Sequence, residues 1–421
     1  MHPSDPPESV ARTVADCDVA IVGGGLVGAS LALALTALPL DVVLIEAVEP
    51  ETDGQPSFDT RTTALSNGSK RIFEGLGVWD DIARDATPIR RIHVSERGRF
   101  GSAVIDAAEE GVPALGHVVE NRVIGRALWR RLRHEPRVRL LAPATATGAQ
   151  VTPGSVRVKL DGNVAESVSA RLVVAADGVA SRVREDAGVG VVRSDYGQTA
   201  LICQLTPGRF HEYVAYERFT PSGPLAVLPI PDGRVGVIYT LEPDVAERVL
   251  GLSDADFLAD LQAVFGWRLG QLRDVGPRYA YRLALTRSES SDAPRTAIIG
   301  AAAQGLHPIA GQGFNLGLRD AATLAEVLAD AAGSDPGDHA VLARYADWRR
   351  ADRRGFIAFT DGLVRLFGSR LSPVQFARGV GLVLFDLTPL AKSAMSRLSL
   401  GFAARQTRLA RGLPLVVADP S

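Results

Sequence analysis

Asp18-Val-Ala-Ile-Val22-Gly23-Gly24-Gly25-Leu26-Val27-Gly28 passes from a short apolar run into three glycines, and Asp41-Val-Val-Leu-Ile-Glu46 follows soon after. The first run reads as a buried parallel strand, Leu26 to Leu38 as a helix closing before Pro39, and the last as a second strand. Strand, glycine turn, helix and strand make a βαβ unit. Its glycines spell G-x-G-x-x-G. Gly23 permits the tight turn, Gly25 lets the backbone approach a pyrophosphate, and Gly28 lets the helix pack on the strand. Leu26 and Val27 open a helix whose free N–H groups and dipole favour phosphate. Glu46, 18 residues beyond Gly28, ends the second strand, where an acid accepts hydrogen bonds from a ribose diol. FAD and NAD both meet that description.

Arg171-Leu-Val-Val-Ala-Ala-Asp177 and Thr296-Ala-Ile-Ile-Gly300 are two more buried-strand runs, each leading into a Gly-bearing loop. Between them, from Val191 to Leu285, the pattern changes to alternation, as in Val214-Ala-Tyr-Glu-Arg-Phe219 and from Leu225 to Tyr239. Turns at Pro221-Ser-Gly-Pro224 and Pro231-Asp-Gly233 separate these runs, which predicts an antiparallel sheet. Asp254 to Phe265 reads as an amphipathic helix crossing it, with the Trp267 region as core. After Gly313 the chain reads as mostly helical, with a helix from Leu316 to Ala332.

Val174-Ala-Ala-Asp177-Gly178-Val-Ala-Ser181-Arg182 resembles the Asp-Gly motif of the flavoprotein aromatic hydroxylases, the family typified by p-hydroxybenzoate hydroxylase. Ile299-Gly300-Ala301-Ala302-Ala303-Gln304-Gly-Leu-His307-Pro308-Ile-Ala-Gly311-Gln312-Gly313-Phe314-Asn315-Leu316-Gly317 resembles that family's second FAD fingerprint. Phe58-Asp-Thr-Arg61, His93-Val-Ser-Glu-Arg-Gly98, Glu217-Arg-Phe219, Gly223-Pro-Leu225 and Phe265-Gly-Trp-Arg-Leu-Gly270 are similar to the ubiquinone-biosynthesis branch, and within it to the 2-polyprenyl-6-methoxyphenol hydroxylases. The likeness runs in order from about Cys17 to about Phe402.

The resemblance implies an α/β fold: an FAD-binding, Rossmann-like domain of glutathione-reductase type (17–190 and 286–355), an inserted antiparallel substrate domain (191–285, joined by about 90–115) and a C-terminal helical region (356–421), while the acidic, proline-containing residues 1–16, outside the likeness, read as a flexible leader. It implies FAD as cofactor, with NADH or NADPH reducing it, O₂ adding at C4a, and the hydroperoxide hydroxylating a polyprenylphenol. Arg61 would lie over the flavin, and Arg126 near the ribityl and phosphate, though it reads equally as a surface arginine. Asp177, Gly300, Ala301, Pro308, Gly311, Gln312, Gly313, Phe314 and Asn315 would complete the FAD site. The family usually has Asp after the glycine at 300, bonding the ribityl chain, where this sequence has Ala301. For a base toward the phenol, Tyr216, His211 and His307 are the candidates. Two readings stand beside this one: a sister hydroxylase of the same pathway acting at another ring position, and a non-catalytic FAD-binding member of a ubiquinone-synthesis complex.

Composition fits this frame. The hydrophobic content of 46% and charged content of 22% are ordinary for a globular chain, and a net charge of −2 gives no footprint for nucleic acid. Two cysteines make neither a disulfide framework nor a metal cluster, which points to a reducing compartment. No apolar run reaches the ~18–20 residues of a membrane span, and Met1 to Asp16 lacks the basic flank and apolar core of a signal peptide. The expectation is a cytoplasmic protein, peripheral on the inner face of the cytoplasmic membrane. From Asp361 to Ser421 eight Arg/Lys face three Asp among many apolar residues. Such a tail is read either as a helical lid or as a surface that docks on an anionic bilayer or a partner. A homo-oligomer is compatible with the sequence.

Overall fold

β1 (Ala15–Val22), α1 (Leu26–Leu35) and β2 (Val42–Ile45) form the βαβ unit, the two strands parallel with Val19 opposite Val42 and Val22 opposite Ile45. The structure, a computed structural model, describes residues 15–49, 59, 61–161, 165–305, 312–368, 388 and 405–416. On its other side β1 pairs in parallel with Ser167–Ala175, which pairs with Thr296–Ile298, while Val138–Leu141 lies beyond β2.

The central stretches of these strands, Val19–Val22, Val42–Ile45 and Leu172–Ala175, are apolar at every position because both of their faces are covered. Val19, Ile21, Val42 and Leu44 pack beneath α1 and the Gln312–Asp330 helix. Ala20, Val22, Val43 and Ile45 pack with Val156 and Val158 of an antiparallel hairpin, Thr145–Thr152 and Ser155–Asp161. α1 ends at Leu35, short of the expected Leu38, because the chain tightens there: the Leu38 N–H bonds the Leu35 carbonyl at 2.9 Å, keeping Leu38 buried. The Gln312–Asp330 helix starts a turn earlier than the Leu316 the sequence suggested, and His339–Gly368 follows it.

A second sheet has the order Gln304–Gly305, Tyr279–Ser288, Val191–Leu205, Val235–Leu241, Gly223–Pro229, Val214–Thr220, Arg91–Glu96, Ser102–Asp106. One face buries Leu201, Cys203, Val227, Val237 and Tyr239 beneath helices Pro243–Leu250 and Asp254–Phe265. The second helix has the bounds its periodicity indicates, with Ser253 Oγ accepting from the Asp256 N–H at its start. Trp267 corrects the reading: it is 68% exposed rather than core. Gly266, at φ +88°, ends the helix and turns the chain outward just before it.

A third, three-stranded sheet is formed by β3 (Thr62–Ser66), Gly116–Glu120 and Thr87–Ile89. Thr62 brings it against the second sheet, its Oγ1 lying 3.3 Å from where a Gly236 Cβ would be. Among the described residues no helix is long and apolar enough to cross a membrane, and no group of His, Cys, Asp and Glu could hold a metal.

Candidate cofactor and substrate site

The glycine turn is fixed from three sides. Gly23 sits at φ +104°, and a side chain there would meet the Ala176 carbonyl oxygen at 2.4 Å. A Cβ at Gly28 would lie 1.9 Å from the Gly23 carbonyl oxygen, so the first turn of α1 rests directly on the turn that precedes it. Trp129, on the Asn121–Leu132 helix, donates its indole N–H to the Gly24 carbonyl at 2.9 Å. Nothing in the amphipathic pattern around Trp129 separates it from an ordinary core tryptophan, and sequence reasoning passed over it.

Above this turn lies a cleft of about 700 Å³. Its walls bring together Gly23, Gly25, Leu26, Val27, Glu46, Arg61, Asp177, Gly300, Ala301, Gly313 and Phe314, from segments nearly 300 positions apart. Thr63, Asn121 and Gln304 join them without having been singled out in the sequence. Gly28 packs behind the turn. Gln312 begins its helix, while His307, Pro308 and Gly311 lie outside the described residues.

The electrostatics of the cleft suit a polyhydroxylated, phosphate-bearing ligand. Glu46 accepts the Gly24 N–H at 2.6 Å through Oε2 and the Val48 N–H at 3.0 Å through Oε1, so its carboxylate is held at the lip of the turn. Asp177 accepts the Arg182 and Val183 N–H groups through Oδ2 at 2.9 and 3.3 Å, while its Oδ1 is buried with no partner among the described residues. Burial pushes the Asp177 carboxyl up from its ordinary value, against the lowering pull of hydrogen bonds from Ser181 and the backbone around it. A buried, unpartnered carboxylate oxygen on a cleft wall fits a donor such as a ligand hydroxyl. Arg61 pairs with Asp59 and sets its guanidinium 5.2 Å from the centre of the Tyr281 ring.

Other candidates are placed elsewhere. Arg126 is exposed, its Nε bonding the Arg122 carbonyl at 3.4 Å, and it is no part of the cleft wall. Asn315 is buried: its Oδ1 accepts from the Ser66 N–H (2.9 Å) and Ser69 Oγ (2.6 Å), and its amide donates to the Ala64 carbonyl (2.8 Å). It fastens the start of its helix to β3. Tyr216 points to the helix-covered face of the second sheet, edge-on to Phe265 at 5.3 Å. His211 is buried between the Tyr213 N–H and the Ile230 carbonyl, and burial lowers its pKa. Neither reaches the cleft.

Behind the Gly300 loop stands a residue that sequence reading missed. Asp320, fully buried, accepts the Gly300 N–H at 2.9 Å and the Gln304 amide at 3.2 Å through Oδ2, and Arg349 Nε at 2.6 Å through Oδ1. Burial works against the Arg349 charge, but Asp320 and Asp352 outweigh it and hold the guanidinium pKa above its ordinary value. An acid in the middle of the apolar run Leu316-Gly-Leu-Arg-Asp-Ala-Ala322 was the available signal.

A family model described as FAD binding domain matches residues 16–360. The chain is 40% identical to the ubiquinone hydroxylase UbiL of Rhodospirillum rubrum, covering 98% of this chain and 97% of that one. It is 35% identical to the 3-demethoxyubiquinol 3-hydroxylase of Escherichia coli, covering 91% and 98%. In fold it is similar to p-nitrophenol 4-monooxygenase PnpA of Pseudomonas putida, with a TM-score of 0.77 at 20% identity over 94% of this chain and all of that one. The glycine turn, its acid partner, the Asp-Gly loop and these relatives lead to one assignment: the chain belongs to the FAD-binding flavoprotein hydroxylase family.

Proposed function

We propose that this protein is an FAD-dependent monooxygenase that hydroxylates the aromatic ring of a polyprenylphenol on the route to ubiquinone. The observation that carries the reading is the convergence of the glycine turn, Glu46, Asp177 and the Gly300 loop on one cleft that opens beside Arg61. Gly23, Gly25 and the α1 N-terminus would hold the pyrophosphate, Glu46 the adenosine ribose, and Asp177 with the Gly300–Ala301 backbone the ribityl side. Bound there and reduced by NADH or NADPH, FAD supplies the activation of O₂ for transfer of one oxygen atom to an electron-rich ring. The protein's share is to orient that ring and exclude water.

The substrate is proposed from two lines: the similarity to the ubiquinone-biosynthesis branch and the names of the R. rubrum and E. coli relatives. A sister activity at another ring position is favoured by one observation, that the E. coli relative is named for ring position 3. Incubation of the FAD-loaded protein with NADH or NADPH, O₂ and short-chain prenylphenols of defined substitution tests the reading. A hydroxylated product, located on the ring by NMR, supports it and settles the position. Flavin-loaded protein that never hydroxylates and shows no substrate-stimulated NAD(P)H oxidation overturns it in favour of a non-catalytic member of a ubiquinone-synthesis complex.

The 361–421 tail falls largely outside the described residues, and its proposed role rests on composition. Apolar positions interleaved with Arg365, Arg370, Arg378, Lys392 and Arg397 suit reversible contact with an anionic bilayer, from which a prenylated substrate would be drawn. Co-flotation with anionic but not neutral liposomes, weakened by salt, is the outcome expected.

A further inference from the structure

The second sheet has two unlike faces. Leu201, Cys203, Val237 and Tyr239 are buried beneath helices, but their neighbours Ile202 and Ile238, on the same central strands, are only half-buried. Successive side chains alternate between faces, so Ile202 and Ile238 present their half-buried side chains on the face turned toward β3.

Register places one acid at the end of that floor. Ile202 is paired with Ile238, Ile238 with Ala226, and Ala226 with Glu217. Residues directly opposite each other share a face, so the four form one row. Tyr216, next to Glu217, packs on Phe265 across the other face, which fixes Glu217 on the open one. The row runs between the two points where the Arg61–Thr62 segment meets this sheet. Gly236, which Thr62 touches, is in the row on one side. Tyr281, under the Arg61 guanidinium, is in the row on the other, through Ala200 and Thr240. Glu217 Oε1 is shut off from solvent and has no partner among the described residues.

We propose that Glu217 is a catalytic residue, the base that receives the phenolic proton of the ring laid on the Ala226–Ile238–Ile202 floor. The inference rests on the hydroxylase reading above. As the new C–O bond forms at the ring carbon, the phenolic O–H breaks, its proton goes to the Glu217 carboxylate, and the electron pair it leaves moves into the ring. O₂ is the oxidant: as its O–O bond breaks, one atom joins the ring carbon and the other leaves as water, with the two electrons this needs supplied by NADH or NADPH through the flavin. When that ring carbon then loses its own hydrogen as a proton to water, Glu217 returns the first proton to the oxygen and is a carboxylate again.

Burial with no offsetting cation pushes the Glu217 carboxyl up to about 7, close to the pH at which a base works best. Glu96 of the neighbouring strand, opposite Phe219, is the other titratable group in the adjoining row, and Arg61 is the cation at the far side of the floor.

The test is Glu217→Gln in the FAD-loaded protein, with Glu217→Asp beside it. Three quantities are read: hydroxylated product against NAD(P)H consumed, the equilibrium affinity of the oxidised protein for a short-chain prenylphenol, and the affinity for that compound's O-methyl ether. Expected for Gln is a loss in product of about a hundredfold or more, with flavin content and NAD(P)H oxidation retained and H₂O₂ released instead. Affinity for the phenol should fall and that for the ether stay unchanged, and Asp should restore part of both losses. Full coupling in Glu217→Gln, or equal losses of phenol and ether affinity, overturns the proposal. A wild-type protein that makes no product from any prenylphenol sinks the hydroxylase reading instead.

Discussion

The carboxylate of Asp320 reaches from the middle of the Gln312–Asp330 helix to the backbone N–H of Gly300, 2.9 Å away. That bond holds the loop whose next residue, Ala301, lines the cleft. With Arg349 on its other oxygen, Asp320 couples the position of the loop to an ion-pair network that includes Asp352 and Arg319.

Asp320→Ala should therefore cost both fold and flavin. Removing one partner of a buried ion pair leaves the other charge uncompensated, at about 3–5 kcal/mol. The midpoint of urea unfolding should drop accordingly, and the purified protein should carry less flavin per chain by absorbance. A variant that keeps full flavin and the wild-type midpoint would show that the loop is held by other means.

Ala301→Asp introduces the carboxylate that the resemblance to the flavoprotein hydroxylases leads one to expect at this position. Because Ala301 is exposed in the cleft, the new side chain has room, and FAD affinity by fluorescence titration should be equal to or tighter than wild type. A large loss of affinity would mean that this loop follows a different path along the ribityl chain.

Gly28→Ala puts a Cβ 1.9 Å from the Gly23 carbonyl oxygen, a contact that only movement of α1 can relieve. Overpacking of this kind costs about 1–3 kcal/mol, and the moved helix N-terminus would no longer face the pyrophosphate proposed to lie there. Colourless, less stable protein is expected. Bright yellow protein of unchanged melting temperature would remove Gly28 from the account.

His117 predicts a pH dependence of stability. Burial, helped by the nearby Lys70 charge, lowers its pKa from 6.5 to about 4. In the unfolded chain it takes up a proton near its ordinary value, so between those two pH values unfolding binds protons and acid favours it. Stability should fall as pH drops from about 6.5 toward 4, and His117→Phe should flatten that slope in denaturant titrations.

The nucleotide-binding half of the fold was legible because its signals are local. Two runs of β-branched and small apolar residues, four glycines and a terminal acid occupy 18–46, and each residue type has one physical use there. Asp320, Trp129 and Glu217 were not legible in the same way. The first two act through backbone atoms of loops far along the chain. Glu217 becomes conspicuous only once pairing shows which face it takes and what lies in its row. Tyr216 attracted attention in its place, being an aromatic hydroxyl on the same strand, yet a shift of one residue carries a side chain to the opposite face. Trp267 was misjudged because a large apolar ring two residues past an amphipathic helix was grouped with that helix's buried face, whereas Gly266 turns the chain away.

The order of strands in the first sheet also sets an order of events during synthesis. Ser167–Ala175 pairs along its outer edge with Val156–Lys159 over its first four residues, but at Val173–Ala175 that edge has no partner until Thr296–Ile298, more than a hundred positions later, has left the ribosome. At bacterial or eukaryotic elongation rates that wait is on the order of ten seconds. Through that interval the nascent chain carries a short apolar stretch of bare β edge at Val173–Ala175, a template for pairing with a neighbouring copy. A chain stalled or cut short before Thr296 would keep that edge, and insoluble aggregates are its expected fate.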